Sequence, residues 1–184
     1  MSENIEQQLI KHLKAAHSME KQAEKLLEKG TKIAGDNEIA AIYRAHLLQT
    51  HEHERYIAER LEALGESPGK LKDVAMKAVA FGIGAAAGAL PDTPIKLAAT
   101  AFAFENLEVA TYRILRDLAE RARDGESLAL AERILEQEEA AAELVAGTFA
   151  RALDLTLGEP PTSPLIPVTP IGKPSEREPE HQPS

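Results

Sequence analysis

LAATAFAFENLEVATYRILRDLAERA (Leu97–Ala122) is the stretch from which the architecture can be read. Projected at about 100° per residue, Leu97, Ala101, Phe104, Glu108, Thr111, Leu115, Leu118 and Ala122 fall on one seam, in alternating steps of four and three. That alternation is how helices interlock side by side in a bundle. One member is out of character: Glu108 puts a carboxylate in the middle of a core-facing seam.

Working outward, the same pattern recurs. A first helix, from Ile5 to about Ala34, carries Leu9, Leu13, Ala16, Glu20, Ala23 and Leu27 on its seam. A fourth, from about Ser127 to Leu155, carries Leu128, Ala131, Leu135, Glu138, Ala142, Val145, Phe149 and Ala152. The second, from about Glu38 to Leu64, has an apolar face of Ile39, Ile42, Tyr43, Ile57, Leu61 and Leu64. His46, Thr50 and His53 interrupt that face over its middle turns, with Gln49 at its edge.

The punctuation between these segments sets the topology. Gly35-Asp36-Asn37 supplies a stop and a cap between the first two helices. Gly65 ends the second, Asp92-Thr93-Pro94 opens the third, and Asp124-Gly125 separates the last two. Two short connections make two antiparallel hairpins, and the long stretch from Gly65 to Thr93 crosses between them. Two hairpins joined by one long crossover predict an all-α, ferritin-like antiparallel four-helix bundle over residues 1–157, with a short helix in the crossover. VAFGIGAAAGAL (residues 79–90) has Gly84 and Gly88 in GxxxG spacing, but Lys77 and Pro91 bound an uncharged run too short to span a bilayer.

Composition narrows the function. The chain has 184 residues, a formal net charge of −9 and no cysteine. The acidic balance argues against a nucleic-acid binder, and the missing thiols remove disulfides, thiolate metal sites and cysteine nucleophiles. No glycine-rich phosphate loop follows a strand, so phosphoryl-transfer readings lack support. The opening MSENIEQQLI is polar and acidic where a secretory signal would be basic then apolar, so a cytoplasmic location is expected. Eight of the eleven prolines lie between Pro160 and Pro183, which predicts a disordered tail over residues 158–184. Within it SPLIPVTPIG (residues 163–172) is apolar for a solvated linker. It is read either as plain tail or as a short motif that docks on a protein partner.

The chemistry is concentrated where all four helices turn polar at mid-height. A carboxylate in an apolar core costs several kcal/mol unless it is paired or binds a cation. Glu20, Glu108 and Glu138 stand at one level, with no lysine or arginine on the seams nearby. A metal ion held by glutamate oxygens and histidine nitrogen is the economical partner, and such donors suit iron or manganese. The ligands expected are Glu20, His53, Glu108 and Glu138, with Glu105 and Gln49 completing the set. Glu24 and His17 flank the seams on the inward side as further candidate ligands or partners of ligands, His51 and Glu52 face solvent, and Tyr112 directs its hydroxyl at the polar layer.

HSMEKQ (17–22), AHLLQTHEHERYIAERLEALG (45–65) and FENLEVATYRIL (104–115) resemble the YciE/YciF-type ferritin-like family, over roughly residues 5 to 155. SPGKLKD (67–73) and PDTPIKLAA (91–99) are similar to one branch of it. The resemblance implies a ferritin-like bundle, often a homodimer, associated with stress and without an established reaction. It also implies two acids where this chain has Leu48-Gln49, and an acid near Ala142. Neither Glu-x-x-His motif of a ferritin-type di-iron site is present: Thr50 precedes His53 by three residues, and Ala141 follows Glu138 by three. Two readings stay open. One is an iron- or manganese-binding protein that handles metal or peroxide; the other is a non-catalytic bundle with a decayed site, acting through its dimer face or its tail.

Overall fold

A computed structural model describes residues 4–68, 92–161 and Leu165. The helices are α1 (Ile5–Ile33), α2 (Asn37–Ala63), α3 (Pro94–Ala122), α4 (Gly125–Ala146) and α5 (Phe149–Leu157). The described residues form an all-α bundle in which α1 pairs with α2, α3 pairs with α4, and α1 packs across α3. The crossover helix, the GxxxG stretch and most of the proline-rich tail lie outside the described residues. Leu165, the one described residue of SPLIPVTPIG, is partly buried against the core that contains Leu27, Leu97 and Ala152. Among the described residues no helix is long and apolar enough to cross a membrane.

The caps of α2 and α4 are the aspartates that the sequence supplies, whereas Thr93 stands at the N-cap of α3 without a side-chain hydrogen bond to it. Asp36 accepts from the backbone N–H groups of Glu38 and Ile39 at 2.8 and 3.1 Å, and so opens α2. Gly35 before it stands at φ +72°, a conformation that a side chain resists, and a Cβ there would meet Pro94 at 3.1 Å. The other hairpin turns without a left-handed glycine. The left-handed residue is Arg123 (φ 56°) and not Gly125, which is already the first residue of α4. Asp124 N–H reaches back to Ala119 O and Arg123 N–H to Glu120 O, the paired closure of a Schellman turn. That geometry fixes which residue must be left-handed, whatever its type.

Each turn aspartate is also gripped by an arginine from the opposite hairpin. Arg60 at the end of α2 donates to both oxygens of Asp124 at 2.7 and 2.6 Å, and to Ser127 Oγ at 2.9 Å. Arg151 of α5 donates to Asp36 at 2.6 Å. These groups are 13–17% exposed, so the pairs are partly shielded from water and lock the two hairpins at both ends.

The single fourth helix expected over Ser127–Leu155 is divided. At Gly147-Thr148 the Thr148 N–H bonds to Val145 O at 3.0 Å and its hydroxyl donates to the same carbonyl at 2.7 Å, which tightens the turn. The chain is thereby redirected so that α5 packs on α3, with Phe149 edge-on to Phe102 at 5.4 Å. Thr156 accepts from Ile95 N–H at 3.2 Å, satisfying a free donor in the first turn of α3.

The buried apolar residues form two clusters instead of one continuous core. One contains Leu9, Leu13, Ile57, Leu61, Tyr112, Leu115 and Ile134; the other contains Leu27, Ile39, Tyr43, Leu97 and Val145. On α2 and α4 the polar level of the sequence falls between them, whereas on α1 and α3 Glu20 and Glu108 stand beside members of the first cluster, Met19, Ala23, Phe104 and Val109.

Asp124→Ala removes a cap and the two-oxygen partner of Arg60, which keeps only Ser127 and exposed Glu126, so it should destabilise the bundle by about 2–3 kcal/mol. Asp36→Asn, which keeps the cap and loses only the charge facing Arg151, should cost less. Urea unfolding of the two variants checks the order.

Candidate metal centre

At mid-height of the bundle, His46, His53, Glu20, Glu105, Glu108 and Glu138 are all buried, four of them with no exposed surface at all. Each helix contributes by register. Glu20 comes from α1, His46 and His53 from α2 two turns apart, Glu105 and Glu108 from α3 one turn apart, and Glu138 from α4.

Two donor groups form, and Glu138 belongs to both. The first joins His46, Glu105, Glu108 and Glu138; the second joins Glu20, His53 and Glu138, and the donor atoms of each group lie within 4.8 Å of one another. His46 Nε2 is 2.9 Å from Glu105 Oε2 and 3.4 Å from Glu138 Oε2. His53 Nδ1 is 2.9 Å from Glu138 Oε1 and 3.5 Å from Glu20 Oε2. The two oxygens of Glu138 thus face the two histidines separately.

These contacts are short without being aligned as hydrogen bonds. His46 Nε2, His53 Nδ1, Glu20 Oε2, Glu105 Oε2 and both oxygens of Glu108 and of Glu138 have no hydrogen-bond partner among the described residues. Eight buried polar atoms that converge without pairing are costly, since each has lost its water and gained no directed bond. A cation that takes lone pairs from several of them at once removes that cost, so the residues present can hold a metal ion. Around them, Tyr112 donates to Glu20 Oε1, and Thr50 donates to His46 O at 3.1 Å.

The electrostatics follow from the same crowding. Burial drives the Glu108 carboxyl well above the usual range, and Glu138, Glu20 and Glu105 add to the effect. Burial also raises Glu20. Glu105 is pushed by burial to about 7, against the opposing pull of His46. Glu138 is the exception: burial would raise it, but the two imidazoles outweigh burial and hold it at about 2. Burial would lower both imidazoles, yet contacts with Glu105 and Glu138 carry His46 well up, and contacts with Glu138 and Glu20 carry His53 to about 10.

Of the residues expected from sequence, Glu20, His53, Glu105, Glu108 and Glu138 are brought together here. Gln49 is not among the converging donors; it is partly buried, with Oε1 3.2 Å from His46 Nδ1. Glu24 faces outward toward exposed His51 at 3.3 Å, and His17 lies 3.6 Å from Glu54, away from the centre. Two participants were not picked out as site residues. His46 stood among the polar interruptions of α2, and its spacing of seven from His53 is the signal that both share a face. Gln137, whose Oε1 is 2.6 Å from His53 Nε2, carried no signal, because projection places it beside Glu138 on the flank of α4.

A family model described as a domain of unknown function, DUF892, matches residues 4–155. Among solved structures, the chain is similar to a protein of Xanthomonas campestris at 26% identity and a TM-score of 0.69, covering 84% of this chain and 96% of that one. It is similar in fold to the E. coli stress protein YciF (23% identity, TM-score 0.71, 83% and 99% coverage). It is likewise similar in fold to YcfI of Rhodopseudomonas palustris (22% identity, TM-score 0.69, 78% and 94% coverage).

Without metal, stability should depend on pH in a defined sense. His53 titrates near 10 in the fold against 6.5 in the unfolded chain, so its contribution is complete below 6.5 and is lost as pH rises toward 10. Glu138 is depressed from 4.5 to about 2, so its contribution is complete above 4.5 and is lost as pH falls toward 2. Glu105, raised from 4.5 to about 7, adds a destabilising term as pH climbs through that interval. Thermal melts of chelator-treated protein should show a maximum between about pH 4.5 and 6.5 and a decline toward 10; a melting point that climbs from 6.5 to 10 would contradict the assignment.

Proposed function

We propose that this chain, which belongs to the DUF892 family, is a metal-binding bundle in which Glu138 would be shared between the positions of two divalent ions. The carrying observation is the donor geometry: one carboxylate shared between two groups, each with its own histidine and its own further glutamates. Charge supports a pair of ions. Glu20, Glu105, Glu108 and Glu138 supply four negative charges when ionised, which two divalent cations balance with the imidazoles neutral. Hard carboxylate oxygens with borderline imidazole nitrogens favour iron or manganese among the available metals.

Bound there, such an ion supplies Lewis acidity and one-electron redox chemistry. The chain's residues do the rest. Glu138 sets the spacing of the two positions, and Leu13, Ile57, Tyr112 and Ile134 on one side and Tyr43 and Leu97 on the other keep water from the layer. The position against His53 has fewer protein donors than the one against His46, so it leaves more room for a small external ligand such as peroxide. Handling of metal or peroxide during stress is the role that fits, in keeping with the name of the E. coli protein of similar fold. A cytoplasmic homodimer belongs to the same reading, with exposed Leu48, Ile114 and Leu153 as its available apolar surface.

Elemental analysis of protein purified without chelator or histidine tag tests this. Wild type should carry up to two iron or manganese ions per chain, Glu138→Ala should lose both, and Glu108→Ala should lose the ion beside His46 and keep the other. Metal at 100 times its dissociation constant should also stabilise the wild type by about 2.7 kcal/mol. If wild type stays free of metal after loading, and Glu108→Leu is more stable by about 1–3 kcal/mol, the site is a relic and the bundle acts through a surface instead.

A further inference from the structure

Gln49 and Gln137 are both partly buried, and each presents its side-chain oxygen to the outer nitrogen of one central histidine. Gln49 Oε1 lies 3.2 Å from His46 Nδ1, and Gln137 Oε1 lies 2.6 Å from His53 Nε2. An amide oxygen only accepts, so the ring nitrogen opposite it must carry the proton. On a neutral imidazole the remaining nitrogen is then the one free to donate a lone pair. For His46 that is Nε2, the atom beside Glu105 and Glu138; for His53 it is Nδ1, the atom beside Glu138 and Glu20.

We infer that Gln49 and Gln137 are positioning residues that fix opposite tautomers of the two histidines, so that one ion is bound through His46 Nε2 and the other through His53 Nδ1. The inference rests on the metal reading above and adds to it the atom through which each ring binds. The local geometry shows why two different helices are needed. Gln49 is one turn beyond His46 on α2 and reaches back along its own helix. His53 is turned the other way, with Nδ1 inward, so its outer nitrogen points across to α4, where Gln137 meets it. The hydrogen bond from His53 also ties α2 to α4 at the level of the centre.

The two glutamines therefore act on separate ions. Partners of this kind raise ligand basicity and hold ring orientation, and their loss commonly lowers metal affinity by about 10–100-fold. Gln137→Met keeps the length and apolar stem of the side chain and removes the acceptor; Gln49→Met does the same for His46. Gln137→Glu keeps an acceptor and makes it charged.

The test uses the full chain loaded with zinc, a diamagnetic probe that accepts the same oxygen and nitrogen donors. Imidazole nitrogen chemical shifts then report which ring atom carries the proton. His46 should be protonated at Nδ1 and metal-bound at Nε2, and His53 protonated at Nε2 and metal-bound at Nδ1. Gln137→Met should weaken one zinc ion about 10–100-fold and broaden or shift the His53 signals while leaving those of His46 in place. Gln137→Glu should restore that affinity, which a loss of packing alone would not allow. Zinc held through His53 Nε2, or methionine variants with unchanged affinity and unchanged nitrogen signals, would overturn the inference while leaving the metal site intact. A wild type that binds no zinc, iron or manganese would overturn the metal reading itself and this inference with it.

Discussion

Everything distinctive about this bundle follows from one unfavourable arrangement: four carboxylates and two imidazoles enclosed in an apolar core, with most of their inward atoms unpaired. Desolvating such groups costs several kcal/mol each, and the arrangement survives only because the surrounding structure compels it. Glu138 shows the compensation available from protein alone, since two imidazoles keep it ionised at the expense of their own neutrality. Glu108 shows its limit. With no hydrogen-bond partner for either oxygen among the described residues, its carboxyl resists ionisation unless a cation from outside the chain joins it.

The rest of the fold can be understood as what holds that arrangement in place. Small residues such as Ala16, Ala101, Ala131 and Ala142 let the helices approach closely enough for donors on four of them to converge. The two arginine clamps, Arg60 on Asp124 and Arg151 on Asp36, grip the turns at opposite ends of the bundle, so neither hairpin can slide along the other. A shift of one helix by a single residue would rotate its glutamate by about 100° out of the layer. Capping and clamping at the ends therefore control geometry in the middle.

Much of this was readable from the chain. The alternating steps of four and three gave the helices and placed Glu20, Glu108 and Glu138 at one level, because position along a straight helix is fixed by sequence number alone. The mid-height polarity of α2 located His53 in the same way. What projection could not supply was anything decided by side-chain direction or by contact between helices. Projection brings His46 and Glu105 near the polar layer, but that they face each other at 2.9 Å is decided between α2 and α3. Gln49, expected among the ligands, has its Oε1 against His46 Nδ1 and outside the converging donors, a placement that side-chain direction decides. Gln137 was invisible, since its role is set by His53 on another helix. The division of the fourth helix at Gly147-Thr148 was missed because the apolar period runs on through Phe149 and Ala152, and only the tightened turn redirects the chain onto α3.

In the proposed centre Glu138 stands between two metal positions of different composition. Anomalous X-ray diffraction from crystals of the full chain soaked in manganese, recorded above the manganese absorption edge, addresses this arrangement most directly. Two anomalous peaks flanking the Glu138 carboxylate, one against His46 Nε2 and one against His53 Nδ1, are expected. A layer without peaks, with Glu108 paired to a protein group in their place, would contradict the arrangement.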